Sequence, residues 1–319
     1  MINKFHRENR RRLAVNMAEN DAMLFFSGES VRKTADEDFP FFTNRNFLYL
    51  TGINQEQSAL LLQKKGDFVS ESVFVTKPDL EREVWEGKRL TETEIREISG
   101  VDAVEDITNL NRTVDRILSA QQTMTLWLCF DALVSERSLD IEREFAKHIL
   151  SRHPQIAIKN SYPLIAAMRK IKAPEEIDAI RKAMRITEAG IRRLMHVAKP
   201  GIMEYELESE FNSELAAHGQ RRTAFPSIIA GGERIFYLHY TTPMSAVAEN
   251  ALILSDVGAA YAEYCTDISR VFPANGRFSE RQAQLYQVAF AANRAIMAAV
   301  RPGVSFQTLN PICKQVSFE

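Results

Sequence analysis

Short apolar runs alternate with amphipathic stretches through the first half of this 319-residue chain, and the alternation stops near residue 160. The apolar runs at 22–26, 58–63, 72–76 and 125–130 have the length of buried strands. Ser27-Gly28 and Lys77-Pro78-Asp79 supply breaks after two of them. Residues 3–20, 91–99, 109–120 and 139–150 read instead as helices. A chain that alternates in this way is confined to an α/β domain, expected over residues 1–158.

Beyond that point the order changes. Pro174, followed by Glu175 and Glu176, marks a helix start whose first-turn acids suit the helix dipole. Ile177, Ile180, Met184, Ile191 and Leu194 line one face of a long helix that ends at Lys199-Pro200-Gly201. A second helix is expected over 204–217. Strands are expected at 225–230, 238–240, 251–257 and 264–272, and a third helix at 279–300. Two helices, four strands and a helix predict an α+β domain with an antiparallel sheet over residues 159–319.

Charge narrows the function classes. Lys plus Arg number 40 and Asp plus Glu 42, for a net charge of −2, so no bulk electrostatic case exists for nucleic acid or an anionic membrane. No apolar run approaches the roughly 18 residues that span a bilayer. The basic run Arg7 to Arg12 reads as a solvated helix surface. Cys129, Cys265 and Cys313 are odd in number and widely spaced, against a disulfide framework or a cysteine zinc site. The N-terminus lacks the apolar stretch of a secretory signal, so a reducing cytoplasm is the expected compartment.

Asp256 and Asp267 stand out among residues able to carry chemistry. They lie eleven apart, close enough to sit on the two arms of a hairpin and point to one side of a sheet. Carboxylates so placed repel unless one is protonated or a cation lies between them. Hard oxygen ligands of this kind suit Mn2+, Co2+ or Zn2+. The alternative is a pair of solvated turn or strand-edge residues. His239, inside the apolar run 236–240, is open to the same two readings. Gly231-Gly232-Glu233 is too short for a phosphate loop, and no GxSxG, HExxH or Ser-His-Asp pattern occurs. The other five histidines and the cysteines read as surface or packing residues.

Taken together, these stretches resemble the pita-bread metallopeptidases. The matching segments run in the family's order: 168–177, 199–206, 225–232 with Leu238-His239-Tyr240, and Asp256-Val257-Gly258-Ala259 with 267–273. Residues 275–279 and Arg301-Pro302-Gly303 continue the match. In the first half, 45–52 and 83–89 resemble the N-terminal domain of aminopeptidase P, which methionine aminopeptidases lack. The resemblance implies removal of the N-terminal residue from peptides with proline in second position, by a water that two divalent metals activate, Mn2+ first among them. It makes Asp256 and Asp267 metal ligands, and makes His239 a catalytic and substrate-contacting group. Trp85 becomes a residue that lines the substrate site across a subunit interface of a homodimer or homotetramer.

The same resemblance calls for one further histidine and two further glutamates as ligands on later strands, and no histidine follows His239 before Glu319. The expectation is therefore a C-terminally truncated pita-bread domain that is inactive by itself and binds metal weakly. Prolidase, a creatinase-type hydrolase and a pita-bread shell kept as a non-catalytic binding module are the rival readings.

Overall fold

A computed structural model describes residues 2–120, 125–131 and 141–318. The chain divides into two compact units, Met1–Ile171 and Lys172–Glu319. The division falls later than residue 158 because the helix at 162–170 belongs to the first unit. Its Ile165 lies in that unit's core, and Arg169 bonds Asn46 at 2.6 Å.

In the first unit the elements are α1 (Ile2–Ala14), β1 (Ala22–Phe26), α2 (Arg45–Thr51), β2 (Ala59–Lys65), β3 (Phe68–Val75), α3 (Leu80–Glu86), α4 (Glu92–Ser99), β4 (Ala103–Asp106), α5 (Leu110–Ser119), β5 (Thr125–Leu128), α6 (Ile141–Arg152), β6 (Ala157–Asn160) and α7 (Tyr162–Lys170). Part of the helix expected at 139–150 lies outside the described residues. The strands form one sheet in the order β4-β3-β2-β1-β5-β6. β1 runs antiparallel to β2 and parallel to β5.

All five β1 residues are buried because both faces of the sheet are covered. Met23 and Phe25 pack with Leu13, Phe47, Leu50, Ile95 and Ile165 on one side. Ala22, Leu24 and Phe26 pack with Leu110, Val114, Leu126 and Ile149 on the other. A period of two thus sends alternate residues of one strand into two cores. The start of α4 is capped by side chains. The Thr91 hydroxyl accepts the Glu94 N–H while the Glu94 carboxylate accepts the Thr91 N–H, and Gly100 closes α4 in the left-handed conformation.

The run 47–50 is helical, started by Asn44, whose side chain accepts the Asn46 and Phe47 N–H groups. One local expectation gives way here, because the basic run on α1 is not wholly solvated. Arg10 is fully buried and gives hydrogen bonds to the Leu50 and Ser99 carbonyls and to Glu71, the last at 2.6 Å. A buried guanidinium keeps its charge where a carboxylate and two carbonyls meet its donors.

The second unit holds α8 (Pro174–Val197), α9 (Glu204–Ala217), β7 (Ile228–Gly231), β8 (Leu252–Val257), β9 (Ala260–Tyr261), β10 (Tyr264–Cys265), β11 (Ile268–Pro273), α10 (Glu280–Ala299) and α11 (Phe306–Phe318). β11-β8-β7 is an antiparallel sheet, and β9-β10 is a small hairpin. Ile191 and Leu194 of α8, Leu207, Phe211 and Leu215 of α9, and Ile229, Ile253 and Val257 of the sheet form its core. Gly190 permits the two helices to close, since a Cβ there would meet the Phe211 ring at 2.5 Å.

The strand expected at 238–240 is absent. Gly232, at φ +63°, turns the chain out of β7 into a 3-10 turn over Gly232–Phe236, and Leu238-His239 form a turn. The strand expected at 264–272 is two pieces, β10 and β11, broken at Thr266-Asp267. Among the described residues no helix is long and apolar enough to cross a membrane.

Candidate functional site

β8 is the middle strand of the three, with Asp256 opposite Ile228 on one side and Ser269 on the other. Asp267 precedes Ser269 by two residues, so it shares the face of Asp256 and lies diagonally across the ladder. Ser269 gives its hydroxyl proton to Asp256 Oδ1 at 2.6 Å and fixes that carboxylate. The Asp267 carboxyl is pushed above the usual carboxylate range, first by desolvation and then by the Asp256 charge and a hydrogen bond with Asp256. The two carboxyls are thus brought into mutual contact.

The hairpin is clamped from behind by α8. The hydroxyls of Thr187 and Thr266 meet at 2.6 Å, and the Ala259 N–H donates to Thr187 Oγ1 at 2.9 Å. Gly258 lies flat against the Thr266 carbonyl, where a Cβ would overlap it. Nearer the start of α8, buried Glu176 accepts from the Tyr264 hydroxyl at 2.8 Å. Asp267 therefore follows Thr266, which the Thr187 hydroxyl and the Gly258 backbone both touch, and its partner Asp256 is held by the ladder. This is a rigid pair of oxygen donors with mutual repulsion to relieve, and a divalent cation fits it. Among the described residues no group of three or more His, Cys, Asp or Glu is assembled as a metal site.

His239 is exposed, on the turn that follows β7. Sequence reasoning missed the residue that holds this segment. Glu204, at the first position of α9, is completely buried. Its Oε1 accepts the Gly231 N–H at 2.8 Å and Arg234 Nε–H at 2.7 Å. Its Oε2 accepts the Tyr240 hydroxyl at 2.8 Å and the Ser245 N–H at 3.1 Å. Desolvation would raise this carboxyl, but the four donors outweigh it and hold it below the usual range. In the sequence Glu204 looks like any acid in a first helical turn, and no local signal marks the four donors. Trp85, in the first unit, lies on α3 and is 88% exposed, beside exposed Leu80 and Val84.

Residues 178–317 match metallopeptidase family M24, and residues 6–127 match the aminopeptidase P N-terminal domain. The Xaa-Pro aminopeptidase of Escherichia coli K12 is 30% identical over 301 residues, covering 93% of this chain and 68% of that protein. The Xaa-Pro aminopeptidase of Haemophilus influenzae is 30% identical over 309 residues, covering 95% and 68%. Among solved structures, a Bacillus anthracis protein of the aminopeptidase P type aligns with a TM-score of 0.96 and 34% identity, over all of this chain and 76% of that one. Zinc-substituted E. coli aminopeptidase P in complex with product aligns at 0.89 and 29% identity, over 99% and 72%. The chain belongs to metallopeptidase family M24 and, within it, to the Xaa-Pro aminopeptidases.

Proposed function

We propose that this chain is built for metal-dependent release of the N-terminal residue from peptides with proline in second position. The observation that carries the reading is the contact between the Asp256 and Asp267 carboxyls on a hairpin clamped by α8, within a region that matches a metallopeptidase family. Asp256 and Asp267 are the proposed ligands of two divalent ions, with Mn2+ favoured by the oxygen donors. The bound metal supplies Lewis-acid polarisation of the scissile carbonyl and an acidified water. The chain's own residues supply the rest. Ser269 holds Asp256 through a hydrogen bond to Oδ1 and leaves Oδ2 for a metal. His239 is the proposed donor to the oxyanion of the tetrahedral intermediate. Exposure of Trp85 with Leu80 and Val84 supports a homodimer or homotetramer in which this apolar ridge meets a partner. The proposed compartment is the cytoplasm.

The test is hydrolysis of an Xaa-Pro-Xaa tripeptide with added Mn2+, beside an Xaa-Pro dipeptide and a tripeptide without proline. Metal-dependent release from the proline tripeptide alone, lost in Asp256→Asn, supports the reading and overturns the expectation that the chain is inactive by itself. Preference for the dipeptide makes the chain a prolidase. No release from any substrate by a folded, Mn2+-treated chain bears out that expectation, and the further absence of any Asp256-dependent effect of Mn2+ on its Tm leaves the pita-bread shell as a binding module.

A further inference from the structure

The Glu204 carboxylate does something that burial alone does not require. Its four donors come from four separate points along residues 231–245: the end of β7, the 3-10 turn, the residue after His239, and Ser245. The backbone repeats the tie, because the Glu204 N–H donates to the Ser245 carbonyl at 3.0 Å. Arg234 adds a bond to the Ala246 carbonyl at 3.3 Å. Between these anchors the chain is otherwise weakly held. Phe236, Tyr237, Leu238 and Met244 are 80%, 65%, 85% and 68% exposed, so little packing beyond buried Pro243 holds this stretch. Tyr240, which bonds the carboxylate, is the immediate neighbour of His239. The only buried group to which both ends and the middle of the segment attach, among the described hydrogen bonds, is this one carboxylate.

We propose that Glu204 is a positioning residue that sets the place of His239 by gathering residues 231–245 onto the N-terminus of α9. It rests on the reading of His239 as a substrate-contacting group. A negative charge at a helix N-terminus, met by a guanidinium and two backbone N–H groups, keeps its donors through electrostatics as well as geometry. Loss of that charge frees several donors at once, so the segment opens as a unit while the sheet behind it stays closed.

The experiment compares the full chain with Glu204→Gln by amide hydrogen exchange at pH 7, without metal. Exchange across residues 232–245 is expected to rise about tenfold or more, with β8 and β11 amides unchanged. The His239 backbone amide, followed by NMR, is expected to lose order together with the rest of the segment. Equal acceleration in β7, β8 and β11, or none in 232–245, overturns the proposal. If Glu204→Gln does not fold, Tyr240→Phe removes one donor and leaves the helix intact, and a rise of about threefold confined to 232–245 is then expected. An unchanged Tyr240→Phe overturns the proposal in that case. A turnover arm uses the Xaa-Pro-Xaa tripeptide with Mn2+. Glu204→Gln is expected to lower kcat while KM stays within about twofold, as befits a group that acts in the transition state through His239. A KM effect alone overturns it. No turnover in either chain agrees with the expectation that this chain is inactive by itself, and the exchange result alone then decides the proposal.

Discussion

Thr187 of α8 and Thr266 of the hairpin meet hydroxyl to hydroxyl at 2.6 Å in the buried interior, one residue before Asp267. The pair ties a helix more than seventy positions earlier in the chain to the arm that carries a proposed metal ligand. Thr187 also bonds the Ala183 carbonyl and accepts from Ala259 N–H. Thr187→Val keeps the shape and removes the oxygen. Its expected cost is about 0.5–1.5 kcal/mol, because the Ala259 N–H and the Thr266 hydroxyl each lose one partner and keep a second, the N–H on Thr266 Oγ1 and the hydroxyl on the Ala259 carbonyl. Urea denaturation checks this. A loss under a few tenths would mean that neither group depends on Thr187.

Gly258 presses its backbone against the Thr266 carbonyl, and a Cβ has no flexible side chain to push aside. Gly258→Ala is expected to destabilise the second unit by about 3 kcal/mol or more, at the severe end for overpacking. Gly66→Ala is the control for glycine loss without a clash, since nothing lies within 4 Å there, although its φ of +61° carries its own strain. Thermal unfolding of both variants separates the two effects.

The contact between Asp256 and Asp267 predicts opposite consequences with and without metal. Asp267→Asn removes a like-charge neighbour, so the metal-free protein is expected to unfold at a higher temperature near neutral pH. The same change is expected to abolish the rise in Tm that Mn2+ gives the parent. That rise corresponds to about 2.7 kcal/mol at a hundredfold excess over Kd. A Tm that responds equally to Mn2+ in parent and variant would place the metal elsewhere.

Arg10 is the most consequential charge in the first unit. Removing it leaves Glu71, the Leu50 carbonyl and the Ser99 carbonyl without their donor. Arg10→Met is expected to cost about 3–5 kcal/mol, whereas Arg11→Met, on the exposed face with one ion pair at 3.5 Å, is expected to cost well under about 1 kcal/mol. Denaturant titration of the two variants is the measurement.

Burial pushes the Cys129 thiol up to about 12, with the Glu142 charge adding to the shift. The folded state therefore holds this proton more tightly than the unfolded state does. The linked stability is complete below the ordinary thiol range and falls as pH rises toward 12. At pH 8 an alkylating reagent is expected to modify exposed Cys265 and spare Cys129 until the chain unfolds. Mass mapping after brief labelling decides it, and early modification of Cys129 would contradict its burial.

Much of this architecture is legible in the sequence where one segment decides its own fate. β1, β2 and β5 announce themselves as apolar runs, and Pro174 with two acids marks the start of α8. The eleven-residue spacing of Asp256 and Asp267 is enough to anticipate their shared face. Legibility fails where a partner far along the chain decides. Arg10 is indistinguishable from Arg11 until Glu71 comes to meet it. Glu204 is one acid among many until four donors from residues 231–245 converge. The run 236–240 fails for another reason: its apolar residues mimic a strand, but Gly232 has already turned the backbone and left Phe236 and Leu238 exposed.

The central position of β1 also has a consequence in time. β1 leaves the ribosome early, yet its parallel partner β5 follows about a hundred residues later, so the first sheet waits for a long loop to close. The hairpin of β8 and β11 needs only a short loop and can zip almost as soon as it emerges. Order of synthesis and order of assembly therefore run against each other. Substitutions in β5 should slow refolding of the first unit without delaying formation of the aspartate hairpin.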